Sequence, residues 1–314
     1  MPIFGRMKNK TLISLIGPTA IGKTALSIVL AGHFKTDIIS CDSRQFYKEM
    51  AIGTAVPSKN ELESAKHHFI QNRSIFEDYS VGAFEKDAIA LLSNLFEHNE
   101  IMIMTGGSGL YVDAVTKGLD DFPLVDPEIR KELKIKLDLH GIETLQEQLL
   151  ELDPLSYKRI DIDNKQRLIR ALEICLGSEH PFSYYLGLHS KKRIFNSLKI
   201  GLTTDRNVVY ERINLRVDIM MENGLLQEAE KLYPHKELNA LQTVGYKELF
   251  SYFDGSQTLE EAVNLIKQNT RRFAKRQGTW FRKDKEIKWF DYKTDPIEII
   301  KYIEDQLKDY KNTI

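Results

Sequence analysis

Gly17-Pro18-Thr19-Ala20-Ile21-Gly22-Lys23-Thr24 fits the pattern G-x-x-x-x-G-K-[ST], and its flanks decide how it is read. Upstream, Thr11–Ile16 (TLISLI) is a compact strand-forming run that ends at Gly17. Downstream, a helical pattern runs from Lys23 to about His33. Strand, glycine turn and helix form the context in which this motif holds phosphate. The glycines let the backbone curl so that successive N–H groups point inward. Lys23 adds a point charge, Thr24 a hydroxyl for Mg2+, and the helix start a partial positive charge. A glycine-rich turn with a chance lysine is the lesser alternative. The loop by itself points to a kinase or NTPase, because most proteins that carry it bind a nucleoside triphosphate.

Working outward, Asp37–Ser40 makes a second short buried strand, residues 83–97 a helix, and Ile101–Met104 a third strand ended by Gly106-Gly107. A further strand, Lys199–Leu202, precedes a helix beginning near Asp205. Short apolar strands alternating with helices predict an α/β fold: a P-loop NTPase-like parallel sheet flanked by helices. Between Asp121 and Ile194 helix signals dominate. Asp126-Pro127 and Asp153-Pro154 each place an N-cap acid before a proline suited to the first turn. Gly141 and Gly177 mark helix stops, and Asp163 is expected to cap a helix running to about Leu176. The expected organisation is therefore a core of residues 1–120 and 195–314, interrupted by an all-helical insertion at 121–194. Residues 178–192 read as a loop, and Asp295–Ile314 as an amphipathic closing helix.

With 44 Lys+Arg against 45 Asp+Glu the net charge is −1, so any nucleic-acid surface must be local. Cys41 and Cys175 cannot build a zinc site without histidine and read as reduced thiols. The run Leu12–Ile16 is too short for a signal peptide or a membrane span, so a soluble cytoplasmic protein is expected, and a monomer. His67 and His68 have no Cys or acid at ligand spacing and read as structural.

The second strand ends in Cys41-Asp42-Ser43-Arg44-Gln45-Phe46-Tyr47, followed by Ile52-Gly53-Thr54-Ala55. An acid at the carboxyl end of a strand beside the phosphate loop sits at the functional edge of such a sheet. Asp42 could hold Mg2+ through water, act as a base, or cap the next turn. Thr105-Gly106-Gly107-Ser108-Gly109-Leu110-Tyr111 brings a second close backbone approach to the same edge.

In order and spacing, GPTAIGKT, DSRQFY with IGTA, and GGSGLYVDA resemble the bacterial tRNA dimethylallyltransferases, the IPP transferase family. The resemblance continues through Gln166–Glu173 (QRLIRALE), Tyr210–Val217 (YERINLRV), Gln242–Glu248 (QTVGYKE) and Thr270–Gln277 (TRRFAKRQ), covering about residues 11–290. It implies that the diphosphate belongs to dimethylallyl diphosphate and that the acceptor is N6 of adenine 37 in a tRNA anticodon loop. It assigns the catalytic roles to Asp42, Ser108 and Arg216. Ser108 stands where the family usually has threonine, which keeps the hydroxyl and loses a methyl. The donor diphosphate falls on Gly17, Thr19, Ala20, Ile21, Gly22, Lys23 and Thr24, with Mg2+ on Thr24. Asp42 would accept an N–H proton while the loop amides, Lys23, Mg2+ and Arg216 meet the growing charge on the leaving diphosphate. Ser108 would hydrogen-bond the adenine or steady Asp42. Eukaryotic relatives carry a zinc finger after the region corresponding to this chain's core, and no Cys occurs here after Cys175.

For RNA, Arg167 and Arg170 lie on one side of a helix whose other side carries Leu168, Ala171, Leu172 and Cys175. That side is either a solvated charged face or a basic grip on the anticodon stem-loop, with Arg130 as a weaker candidate. Residues 267–288 concentrate Lys and Arg, suited to phosphates. Phe273, Gln277 and Trp280 within it are expected to pack rather than stack on bases. The expected RNA contacts are Asp42, Ser43, Arg44, Gln45, Ser108, Arg130, Gln166, Arg167, Leu168, Ile169, Arg170, Gln242, Thr243, Val244, Gly245, Tyr246, Lys247, Arg271, Arg272, Lys275 and Arg276. Three other readings compete: a P-loop kinase of a nucleoside or small metabolite using ATP, a free-nucleotide isopentenyltransferase, and an RNA-binding NTPase switch.

Overall fold

The computed structural model describes residues 10–187 and 192–312. It divides into two compact units, one of Met1–Thr116 with Arg193–Ile314 and one of Lys117–Lys192. The first unit begins with β1 (Thr11–Ile16), α1 (Lys23–Phe34), β2 (Ile38–Ser40), α2 (Lys59–Ser64) and β3 (His67–His68). It continues through α3 (Val81–Leu95), β4 (Ile101–Gly106) and α4 (Gly109–Thr116). The second unit supplies α5 (Pro127–Leu152), α6 (Pro154–Arg159), α7 (Lys165–Gly177) and α8 (Phe182–Tyr185). The chain then returns as β5 (Asn196–Thr203), α9 (Arg206–Glu222), α10 (Leu225–Leu232) and α11 (Tyr246–Phe253). It ends with α12 (Leu259–Phe281), β6 (Lys288–Asp291) and α13 (Pro296–Asn312).

All six strands pair in parallel, in the order β3-β2-β4-β1-β5-β6. β1 sits between β4 and β5, and all six of its residues are buried. Leu12 and Ile16 face one apolar layer with Phe46 and Phe84, while Ile13 and Leu15 face another with Leu30 and Ile213. Burial on both faces is why the strand reads as a continuous apolar run rather than an alternation. A third cluster joins α9–α12 around Tyr246 and Leu249, and a fourth, around Leu145, Leu149 and Leu172, is the core of the second unit.

Local chemistry accounts for several helix ends. Asp126 accepts from Glu128 N and Asp153 from Ser156 N, each with proline in the first turn. Gly141 adopts φ 81°, splitting α5 at a kink that other residues disfavour. The expected cap at Asp163 is displaced by one residue: Asn164 caps α7, while Asp163 accepts from Gln146 Nε2 instead. The segment read as a loop contains the short helix α8, and its residues 188–191 lie outside the described residues. The strands β3 and β6 were not foreseen; His67 and His68 form β3. No helix among the described residues is long and apolar enough to cross a membrane.

Candidate active site

The turn Gly17–Gly22 leaves β1 at the carboxyl edge of the sheet. Gly17 (φ 145°) and Gly22 (φ 107°) take backbone angles that side chains resist, and at Gly17 a Cβ would meet the Leu202 carbonyl at 2.7 Å. Ala20 also has positive φ, and Arg212 Nε donates to its carbonyl at 2.7 Å. Lys23 Nζ donates to the carbonyls of Gly17 (3.0 Å) and Pro18 (2.7 Å). Burial pulls the Lys23 ammonium down to about 8, against the pull of Asp42 and with the help of Arg216. Burial likewise lowers Arg216, again opposed by Asp42, and its Nη2 donates to Thr19 Oγ1 at 2.7 Å. Asp42 therefore lies within electrostatic reach of both cations.

The carboxylate of Asp42 also serves its own turn, since Oδ1 accepts from Arg44 N at 3.0 Å. Next to it, Ser43 N and Ser43 Oγ each lie 3.2 Å from Ser108 Oγ. The Ser108 hydroxyl thus bonds to the neighbour of Asp42, not to Asp42 itself. The thiol of Cys41 is buried and pushed up by desolvation, so it stays protonated and takes no part as a nucleophile.

Two cavities, of about 570 and 480 Å3, open on this edge, and Thr19, Asp42, Thr54 and Arg216 line both. The smaller one contains the turn from Thr19 to Thr24, with Thr105 and Arg212. The larger one extends over Gln242, Thr243, Val244 and Lys247 to Phe273 and Arg276. Asp42 stands where the cavity over the glycine turn and the larger cavity meet.

Other expected site residues have different surroundings. Arg44 Nη1 donates to the carbonyls of Asn239 and Ala240, and Gln45 Nε2 to those of Thr54 and Ala55, so both side chains brace loops. Gln242 is exposed and holds the Lys236 carbonyl. Tyr246 is fully buried and donates to Glu228 Oε1 at 2.7 Å. Leu168 and Ile169 are buried in the core of the second unit. These three side chains, expected among the RNA contacts, are buried in apolar packing. Gly245, at φ 101°, is the buried N-cap of α11.

On α12, Arg272, Lys275 and Arg276 are exposed, while Arg271 Nη1 is tied to Asn214 Oδ1 at 2.6 Å. Of the three residues expected to pack, Gln277 is buried and Trp280, though 38% exposed, rests on Gly109, while Phe273 is 37% exposed and lines the larger cavity. Trp289, in contrast, packs on β5 against Gly201. In the second unit Arg167 is exposed. Arg130 and Arg170 converge on Glu173 at 3.1 and 3.3 Å, and Arg130 Nη2 donates to Gln166 Oε1 at 3.4 Å.

Sequence reading missed Arg212, Thr54, Glu228 and Gln277. Arg212 lies one turn before Arg216 on α9, and that spacing could have found it. Glu228 had no local signal: its carboxylate gathers the backbone N–H groups of Ala51, Ile52 and Gly53 at 3.0, 2.8 and 2.9 Å.

A profile of the IPP transferase family matches residues 45–284. A tRNA dimethylallyltransferase of Flavobacterium johnsoniae is 60% identical over 95% of this chain and 99% of its own length. A solved full-length tRNA isopentenylpyrophosphate transferase from Bacillus halodurans is 38% identical, covers 97% of this chain and 99% of its own, and superposes with a TM-score of 0.73. A eukaryotic dimethylallyltransferase solved while acting on tRNA is 26% identical over 91% of this chain and 74% of its own, with a TM-score of 0.76. None of the three is named a kinase. By profile, length and fold alike, the chain belongs to the IPP transferase family.

Proposed function

We propose that the chain transfers a dimethylallyl group from dimethylallyl diphosphate to N6 of adenine 37 in the anticodon loop of tRNA, releasing diphosphate. The observation that carries this reading is the shared wall: Thr19, Asp42, Thr54 and Arg216 line both the phosphate-holding cavity and its polar neighbour. Two substrates entering from two sides meet at one carboxylate.

The diphosphate lies on the turn Gly17–Thr24, where N–H groups, Lys23 and Arg216 receive the charge that grows as the allylic C–O bond breaks. The N6 lone pair forms the new bond to the allylic carbon, and Asp42 takes the N–H proton. Ser108 sets Ser43 and hence the turn that carries Asp42. Adenine must leave its stack to reach that carboxylate, which costs a few kcal/mol and least in a single-stranded loop. Arg272, Lys275 and Arg276 on α12, with Lys247, meet phosphates of the loop, and Arg167 and Arg170 on α7 meet the stem.

The residues also suit Mg2+. Thr24 and Thr105 line the phosphate-holding cavity, and the buried Thr105 Oγ1 has no hydrogen-bond partner. Mg2+ is commonly bound by few protein groups together with substrate phosphates and water. Thr24 would hold it, and it would supply charge neutralisation at the diphosphate. We place the reaction in the cytoplasm, with the protein acting as a monomer.

Mass analysis of tRNA after incubation with the protein and either dimethylallyl diphosphate or ATP is the test. A dimethylallyl mass increment on the anticodon-loop adenine is expected with the first donor. Phosphoryl transfer from ATP and no prenyl increment would overturn the reading.

A further inference from the structure

The glycines on either side of Ser108 have a physical explanation in α12. A Cβ at Gly107 would lie 2.1 Å from Gln277 Nε2, and one at Gly109 would lie 2.3 Å from Trp280 Cδ1. Two side chains one turn apart on α12 are therefore seated on the loop that follows β4. Trp280 is secured by its Nε1, which donates to Asp113 Oδ2 at 2.9 Å. Gln277 does more than fill space. It is only 6% exposed, its Oε1 accepts from Thr19 N at 2.9 Å, and its Nε2 donates to the Gly107 carbonyl at 2.9 Å.

One carboxamide thus bridges the phosphate turn and the loop of Ser108. Beyond each end lies a group of the proposed reaction. Thr19 Oγ1 accepts from Arg216, and Ser108 Oγ bonds to Ser43, the residue after Asp42. The opposite, exposed side of the same helix carries Arg272 and Lys275, while Arg276 lines the larger cavity. A buried amide that donates at one end and accepts at the other fixes both loops, and either bond left unmade strands a buried polar group.

We propose that Gln277 is a positioning residue that couples RNA docking on α12 to the geometry of the diphosphate turn. The inference rests on the dimethylallyl-transfer reading above. Polyanion held on the outer face of α12 biases the helix, and Gln277 passes that bias to Thr19 and Gly107, so that RNA tightens the donor site. By linkage, donor tightens the RNA site by the same factor. The chemistry asks for a neutral amide: glutamate would set an acceptor against the Gly107 carbonyl, and alanine would reach neither loop.

The test uses the full chain, dimethylallyl diphosphate, and an anticodon stem-loop whose target adenine is replaced by purine, which lacks the reacting amine. Calorimetry gives the donor Kd with and without this inert RNA for the wild type, Gln277→Ala and Gln277→Glu. A tightening of about fivefold or more is expected in the wild type, at the lower end of usual coupling between sites, and about none in either variant. The RNA Kd without donor should stay within about twofold in both variants, since Gln277 does not reach the outer face. With normal RNA, the single-turnover rate at saturation of both substrates should fall about tenfold or more, which corresponds to about 1.4 kcal/mol. The isosteric Gln277→Glu carries the test should the alanine variant fold poorly. Equal coupling in wild type and variants, or none in the wild type, overturns the inference while leaving the function standing. A wild type that neither binds dimethylallyl diphosphate nor prenylates RNA overturns the function instead.

Discussion

Glu228 offers the most quantitative check on how the wall of the larger cavity is held. Its Oε2 accepts from Ala51 N and Ile52 N, and its Oε1 from Gly53 N and Tyr246 OH, at 2.7–3.0 Å. Gly53 and Thr54 of this segment line the larger cavity, and a Cβ at Gly53 would strike the Tyr246 ring at 2.6 Å. Replacing Glu228 by alanine removes four bonds to one carboxylate. Each bond to a charged group is worth about 1.5–3 kcal/mol, but bonds that share one acceptor do not add. A loss of about 3–4 kcal/mol in local stability is therefore expected, or roughly 10²–10³-fold in opening equilibrium. Glu228→Gln keeps one oxygen, so two of the four bonds survive, and the Tyr246 hydroxyl can turn to accept from the new amide. Only the Gly53 N–H then loses its partner, and the cost falls to about 1–3 kcal/mol. Amide hydrogen exchange resolved to residues 51–53 is the assay. Faster exchange in the order wild type, Gln, Ala is predicted, with exchange in β1 unchanged. Equal protection of Ala51, Ile52 and Gly53 in wild type and Glu228→Ala would refute the argument.

Asp42→Ala should lower the single-turnover rate by about 10²–10⁴-fold, the usual worth of a general base, with the RNA Kd unchanged; equal losses in both remove Asp42 from that role. Arg216→Ala should weaken binding of dimethylallyl diphosphate by about 10–100-fold, as loss of a charge-assisted contact requires, and an unchanged donor Kd contradicts the assignment. The donor prefers the Lys23 ammonium. Since that ammonium sits at about 8, affinity should be level below this pH and fall by up to about tenfold per unit above it. Lys23→Met should abolish that slope, and titration calorimetry from pH 7 to 9.5 reads it. Arg272→Ala with Lys275→Ala should reduce the slope of log K against log salt for stem-loop binding by about 1.4, taking roughly 0.7 per single-strand phosphate contact. An unchanged slope would place the RNA on another face.

The parts of the molecule legible in the sequence were those governed by near neighbours. The glycine turn after β1, the four interior strands of the sheet and the proline-started helices α5 and α6 all follow from residues within one or two turns of each other. The edge strands β3 and β6 are short, and His67-His68 carries no apolar alternation, so they exist only because a neighbouring strand offers partners. Asp163 and Asn164 are both good caps, and the choice went to Asn164 because Gln146 engages its neighbour. Motif membership suggested Leu168, Ile169 and Tyr246 as RNA contacts, but a motif does not say which of its side chains face inward. Glu228 and Gln277 act on loops far away in sequence, Ala51–Gly53 and Thr19 with Gly107. Only the folded arrangement reveals them.

The placement of β1 has a consequence for synthesis. Its register runs on one side with Ile101–Gly106 and on the other with Asn196–Gly201. The whole helical insertion is translated between those two partners. At about 5–20 residues per second, the flank of β1 that awaits β5 stays open for roughly 5–20 s between completion of β4 and the start of β5. An unpaired, fully apolar strand is prone to join the wrong neighbour during that interval. The insertion, which has a hydrophobic core of its own, can condense on the ribosome before the sheet closes. Slow codons just before residue 196 would lengthen the delay that favours this order of events.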